Sequence, residues 1–122
     1  EGDVIATGVL ASFYRDIKKH SKAEYYYQKL LVNVTDKTST INNLINVTYG
    51  LNEKRAAAYA WYAKQNEIDL YRYGSGKRFD ELILKYNEQE IGAELEQLNS
   101  TFEELRVNYA NTEPTDLRDV FN

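Results

Sequence analysis

The chain has 122 residues, no cysteine, no methionine and a net charge of −4. That length suits one domain with a core of its own, the missing cysteine excludes disulfides and thiolate metal sites, and no apolar run approaches the roughly 20 residues of a membrane-spanning helix. Charge is unevenly spread, with 12 Lys or Arg against 8 Asp or Glu in residues 1–79 (net +4) and 3 against 11 in residues 80–122 (net −8). Nucleic acid is disfavoured, since its phosphates call for a dominant basic face. The polarity suits the orientation of a protein partner or of another copy. Without methionine, Glu1 is no translation start. An excised domain or a trimmed precursor is therefore expected, with an exported, periplasmic bacterial origin favoured over a cytoplasmic one.

In chain order, helical spacing dominates. Ala6, Val9, Leu10 and Phe13 fall at i, i+3, i+4 and i+7 behind Asp3 as N-cap, and Lys18, Lys19 and His20 stand where a helix C-terminus favours positive charge. Ser21-Lys22-Ala23-Glu24 has the form of a capping box. The helix it opens carries Ala23, Tyr26, Tyr27, Leu30, Leu31 and Val34 on one stripe. So short a link makes the two helices an antiparallel hairpin. After "NVTDKTST" the pattern repeats, with Ile41, Leu44, Ile45 and Tyr49, a turn at Gly50–Asn52, then Ala58, Trp61 and Tyr62.

The two hairpins superimpose without a gap at an offset of 35 residues, which places Leu10 on Ile45, Tyr14 on Tyr49, Ala23 on Ala58, Tyr26 on Trp61, Tyr27 on Tyr62 and Lys29 on Lys64. A period of that length is the mark of an α-solenoid. "AEYYYQK" (23–29) and "AYAWYAK" (58–64) resemble the second-helix motif of Sel-one-like repeats, relatives of tetratricopeptide repeats, and "YRYGSG" (71–76) is similar to that family's Tyr-x-x-Gly-x-Gly turn. Departures occur at Leu10-Ala11 and Ile45-Asn46, where the family has Leu-Gly, and at Gln65. The resemblance implies an all-α fold, a right-handed α-solenoid of antiparallel helix hairpins closed by a long C-terminal capping helix.

Gly74-Ser75-Gly76-Lys77 has the look of a phosphate loop, but Tyr71 stands where its first glycine belongs and Arg78 where its Ser or Thr belongs. Gly74 is read instead as the positive-φ residue closing a helix that ends near Tyr73, and Gly76 as a loosening of the chain before the next helix. "KRFDELILKY" then forms a short helix with Phe79, Leu82, Ile83 and Tyr86 on one face. Asn87 and Glu90 cap a last helix whose Ile91, Leu95, Leu98, Phe102, Leu105 and Tyr109 make a heptad seam. Domain boundaries follow: one helical-repeat domain over residues 1–110, with repeats at about 4–37 and 38–73 and a degenerate third hairpin at 77–110. Residues 111–122 are read as a loose tail whose Leu117, Val120 and Phe121 suit docking as a short helical turn.

Groups for chemistry are few. His20 is the single histidine, and the acids of the last helix lie on its polar face without apolar neighbours to raise a pKa. No catalytic residue, cofactor or metal site is expected. Trp61 is expected in the core, Tyr25 outside it. The resemblance implies a non-catalytic scaffold that binds a protein or peptide on the concave face of the first helices; Ser12, Arg15, Asn43 and Val47 on the free side of those helices, and the outward Tyr25 of a second helix, are the expected contact residues. Arg15 offers a fork to a carboxylate, Asn43 bonds a peptide backbone and Val47 gives apolar contact. A homodimer joined through the 91–109 seam is the alternative, the monomer being favoured.

Overall fold

The structure, a computed structural model, describes the backbone of residues 2–73 and 76–111 and the side chains of residues 4–72 and 76–106. Among these residues it is all-helical: α1 (Gly2–Asp16), α2 (His20–Leu31), α3 (Thr38–Tyr49), α4 (Glu53–Gln65), α5 (Gly76–Lys85) and α6 (Gly92–Asn111), with a 3-10 turn at Tyr71–Tyr73. Leu117, Val120 and Phe121, as well as Gly74 and Ser75, lie outside the described residues.

Each helix packs on the next from α1 to α4, while α6 runs along α4 and reaches α2. The core is built from the stripes read in the sequence. Leu10, Ala23, Ile41, Leu44, Ile45 and Ala58 are fully buried. The run Ala56-Ala57-Ala58, also fully buried, lets neighbours approach α4 closely because a methyl group keeps no helix at a distance.

Two start signals act differently from their sequence reading. α1 begins at Gly2, so Asp3 lies inside its first turn, and α2 begins at His20 with no side-chain cap. Ser21 and Glu24 therefore sit within α2, and Glu24 turns into the protein interior, where it is buried. His20 opens α2 rather than closing α1. Other caps form as their residues dictate. Asn52 Oδ1 accepts from the Arg55 N–H at 3.1 Å. Asn87 and Glu90 bond reciprocally, Glu90 N–H to Asn87 Oδ1 at 2.9 Å and Asn87 N–H to Glu90 Oε1 at 3.0 Å.

α4 ends at Gln65, eight residues before the expected Tyr73. Its stop is Glu67 at φ 54°, after which the Ile68 N–H reaches back to the Ala63 carbonyl at 2.9 Å. Lys18, at φ 62°, closes α1 in the same way, with the Lys19 N–H on the Tyr14 carbonyl at 2.9 Å. Neither stop uses glycine, which is why glycine spacing misplaced one of them. Gly76 serves close approach instead: a Cβ there would lie 2.0 Å from Tyr71 Cδ1. Tyr71 is held over it by a hydrogen bond from its hydroxyl to Asp80 at 2.6 Å.

Trp61 is only partly buried, contrary to its sequence reading. Its indole N–H needs an acceptor and finds the Tyr86 carbonyl at 2.8 Å, which keeps the ring at the edge of the core. Among the described residues the fully buried large aromatics are Tyr59 and Phe102. Phe102 brings α6 onto α4, its ring 5.0 Å from that of Tyr62 and 6.4 Å from that of Tyr59. Ile91, Leu95 and Leu98 are buried beside it, so most of the heptad seam is used within the chain. Urea unfolding is expected to show a loss of about 3 to 5 kcal/mol for Phe102→Ala, the usual penalty for deleting a large core aromatic. Leu84→Ala, at a position 86% exposed, is expected to stay within about 0.5 kcal/mol of the parent.

Candidate interaction surface

Arg15, in the last turn of α1, joins the two hairpins. Its Nη1 donates to Asn43 Oδ1 of α3 at 3.1 Å and to the Tyr27 hydroxyl of α2 at 3.2 Å. Its Nη2 pairs with Asp16 at 3.0 Å. Asn43 is fixed in turn by its Nδ2, which donates to the Ser39 carbonyl at 3.1 Å. Two of the expected contact residues, separated by 28 positions, are thus in direct contact, with a partly exposed guanidinium between them. Such a fork can hold a carboxylate or a backbone carbonyl, and Asp16 competes for the same donors. Ser12 lies half-buried one turn earlier on α1.

Val47 and Tyr25 do not join this patch. Val47 is buried, as is Thr40 one turn before Asn43, because the face of α3 expected to be free is covered by neighbouring helices. Val47 is therefore core and not contact surface. Tyr25 is exposed as expected, but two positions along α2 from Tyr27 is a rotation of about 200°, so the two side chains leave the helix on opposite sides. The Tyr25 ring meets the edge of Tyr26 at 5.0 Å, with Lys29 Nζ 5.4 Å from its centroid.

Tyr25 borders a second polar site that was not recognised in the sequence. Between α2, α4 and α6 a cleft of about 220 Å³ is lined by Ser21, Glu24, Tyr25, Gln28, Arg55, Gln97, Leu98 and Thr101. At its base Glu24 accepts from the Tyr59 hydroxyl at 2.7 Å and pairs with Arg55 at 2.8 Å, and Gln28 Nε2 donates to the Tyr59 oxygen at 2.7 Å. Arg55 Nε is buried with no hydrogen-bond partner among the described residues. Burial pushes the Tyr59 phenol well above its ordinary value, and the adjacent Glu24 pushes it the same way. One signal was available: Glu24 and Tyr59 stand 35 positions apart, the offset at which the two hairpin sequences superimpose.

Beside the Gly-Ser-Gly-Lys stretch Arg78 is already engaged. Arg78 donates to Asn46 Oδ1 at 2.6 Å and lies over the Tyr49 ring, 4.3 Å from its centroid. The depression beside it is lined by Asn46, Lys77, Arg78 and Glu81, side chains and not consecutive backbone N–H groups. Lys37 is similarly committed, donating to the Leu31 and Val34 carbonyls at 2.7 and 2.9 Å, and burial lowers its pKa, with Arg106 adding to the effect. Among the described residues no group of three or more His, Asp or Glu side chains is placed to hold a metal ion, and no helix is long and apolar enough to cross a membrane. Comparison with protein families, with curated proteins and with solved structures finds no match to this chain.

Removing the Glu24 carboxylate leaves the partly exposed Arg55 and the Tyr59 O–H without their acceptor, so Glu24→Ala is expected to destabilise by about 1 to 3 kcal/mol in urea unfolding. Tyr59→Phe removes one bond of the network and is expected to cost about 1 to 2 kcal/mol. Because the folded state raises the Tyr59 pKa, its contribution is fully present below the unfolded value of about 10 and is lost as pH rises above it. The stability difference between parent and Tyr59→Phe should therefore shrink as pH rises past about 10.

Proposed function

We propose that the chain is a non-catalytic protein-interaction module, a right-handed α-solenoid piece similar to Sel-one-like and tetratricopeptide-like repeats, that binds a protein or peptide segment on the face carrying Arg15 and Asn43. The observation that carries this reading is the Arg15–Asn43 bond between the first helices of consecutive hairpins, 3.1 Å long and partly open to solvent. It presents anchored donors on a surface shared by both repeats. The repeat itself is supported by equivalent contacts: Lys29 Nζ lies 5.7 Å from the Tyr26 ring centroid, and Lys64 Nζ 4.9 Å from that of Trp61, at the same offset.

In this reading a backbone carbonyl or carboxylate of the ligand takes the outward N–H groups of Arg15 in exchange for Asp16, and Ser12 borders the path. Val47 takes no part, and Tyr25 cannot touch the same segment. α6 acts as a cap over α4 and α2. Burial of Ile91, Leu95, Leu98 and Phe102 within one chain supports this reading over a dimer through the 91–109 seam.

Polar recognition of this kind favours discrimination over tightness, so affinities are expected in the micromolar range. The test is selection of binders from a displayed peptide library, followed by calorimetry on variants. Arg15→Ala and Asn43→Ala should each weaken the selected peptides by about tenfold or more, the effect of a lost charge-assisted or oriented bond. Glu103→Ala, on the exposed side of α6, should leave them unchanged. Loss confined to Glu103→Ala would move the binding site to the acidic helix.

A further inference from the structure

The cleft between α2, α4 and α6 is a built site that the proposed peptide face does not use. Its base is rigid. Glu24, with 8% of its side chain exposed, is held by Arg55 at 2.8 Å and by the Tyr59 hydroxyl at 2.7 Å, and Gln28 is fixed on the same hydroxyl. Bonding capacity is left over above that base. Arg55 Nε is buried without a partner among the described residues. Gln28 bonds Tyr59 through Nε2, which leaves its amide oxygen as an acceptor, and each Glu24 oxygen has a second lone pair. Ser21, Gln97 and Thr101 add two hydroxyls and an amide to the lining. Tyr25, 46% exposed and unused by the peptide face, forms one wall. Convergent polar groups in a concave space, with an aromatic beside them, have the make-up of a ligand site.

We infer that this cleft binds a neutral, polyhydroxylated ring, one pyranose unit of a carbohydrate. Size sets the first limit. The cleft's 220 Å³ lies below the roughly 300–1,000 Å³ of sites for drug-sized molecules and matches the space of about seven waters, so one ring with its hydroxyls fills it. Charge sets the second. Glu24 and Arg55 stand side by side and neutralise each other, so an anion drawn to Arg55 meets Glu24, and a cation drawn to Glu24 meets Arg55. A neutral ligand avoids both conflicts. Geometry sets the third. The polar groups come from three helices, Gln28 from α2, Arg55 from α4, Gln97 and Thr101 from α6, and so approach from several directions. Hydroxyls disposed around a ring, each a donor and an acceptor, answer such a set, whereas a planar base carries its polar atoms along its edges. Tyr25 supplies the apolar contact, its ring facing the C–H surface of the sugar. Tyr27, which bonds Arg15, leaves α2 on the opposite side from Tyr25, so the two sites are independent.

A ligand of about a dozen non-hydrogen atoms binds with Kd on the order of 10⁻³ M, which titration of backbone amide shifts in the isotope-labelled 122-residue chain can measure. The probes are the methyl glycosides of glucose, galactose, mannose and N-acetylglucosamine. Glucuronic acid, glucosamine and adenosine are the comparisons, at about pH 6 so that the amine of glucosamine is charged. At least one neutral glycoside is expected to move the amides of residues 21–28 and 97–101 and to leave those near Asn43 unmoved. Tyr25→Ala and Gln97→Ala, both at exposed positions, should each raise that Kd by about fivefold or more with an unchanged thermal melt, and Arg15→Ala should not alter it. Glucuronic acid and glucosamine should bind about tenfold more weakly than the neutral sugar. No saturable shift with any of the neutral glycosides at about 50 mM, far above the expected Kd, overturns the inference. A Kd indifferent to both Tyr25→Ala and Gln97→Ala overturns it as well, as does tighter binding of a charged sugar or of adenosine.

Discussion

A carboxylate inside a protein must be paired, and the position of Glu24 imposes that requirement on two helices at once. Glu24 comes from α2, while its partners Tyr59 and Arg55 both come from α4. α6 then runs alongside, with Leu98 and Thr101 bordering the same cleft. An apolar pair at this place would tolerate a slide of one helix along another. A carboxylate with two directional partners does not, because any shift leaves a desolvated charge. The pairing therefore fixes the register of the second hairpin on the first.

The contact between Arg15 and Asn43 inherits that register. Arg15 touches Asn43 only because α2 holds α1 and α3 at the proper height, and the residue that transmits this is Tyr27, which packs in the core and ends its hydroxyl on Arg15. The same helix thus bears two polar anchors on different faces: Glu24 and Gln28 toward α4, Tyr27 toward the first helices. Between them the apolar stripes supply the bulk of the stabilisation, and the polar contacts select one arrangement among those the stripes permit. α3 lies between α2 and α4, so both of its sides are used.

Periodicity made much of this legible. Leu10, Ala23, Ile45 and Ala58 could be placed in the core from their 3.6-residue spacing and the 35-residue offset, and the exposed Tyr25 followed from three consecutive tyrosines that cannot share one face. Misreadings occurred where a residue has two physical uses. Glu24 satisfied a capping-box pattern that the helix did not use, because α2 starts one residue before Ser21. Glycine at 74 and 76 outweighed the less obvious stop at Glu67. Val47 was placed on the surface by rotating α3 as though it packed like α1, and no local pattern records how many neighbours a helix will have. Arg15 and Asn43 were placed on the free side of the first helices because they lie about one turn from the packing stripe, but that they would bond to one another was not written in either helix alone.

If Glu24 binds the hairpins into one body, they must open together. Native-state hydrogen exchange measures this directly, with amides near Tyr27 and Leu31 in α2 and near Tyr59 and Tyr62 in α4 as reporters. The expected result is that both sets exchange through one opening, with the same free energy and the same dependence on denaturant, equal to that of global unfolding. Exchange of the α2 amides at a lower free energy with a small denaturant dependence, while α4 stays protected, would contradict it: the first hairpin would then open alone, and the buried carboxylate would not be what couples the two hairpins.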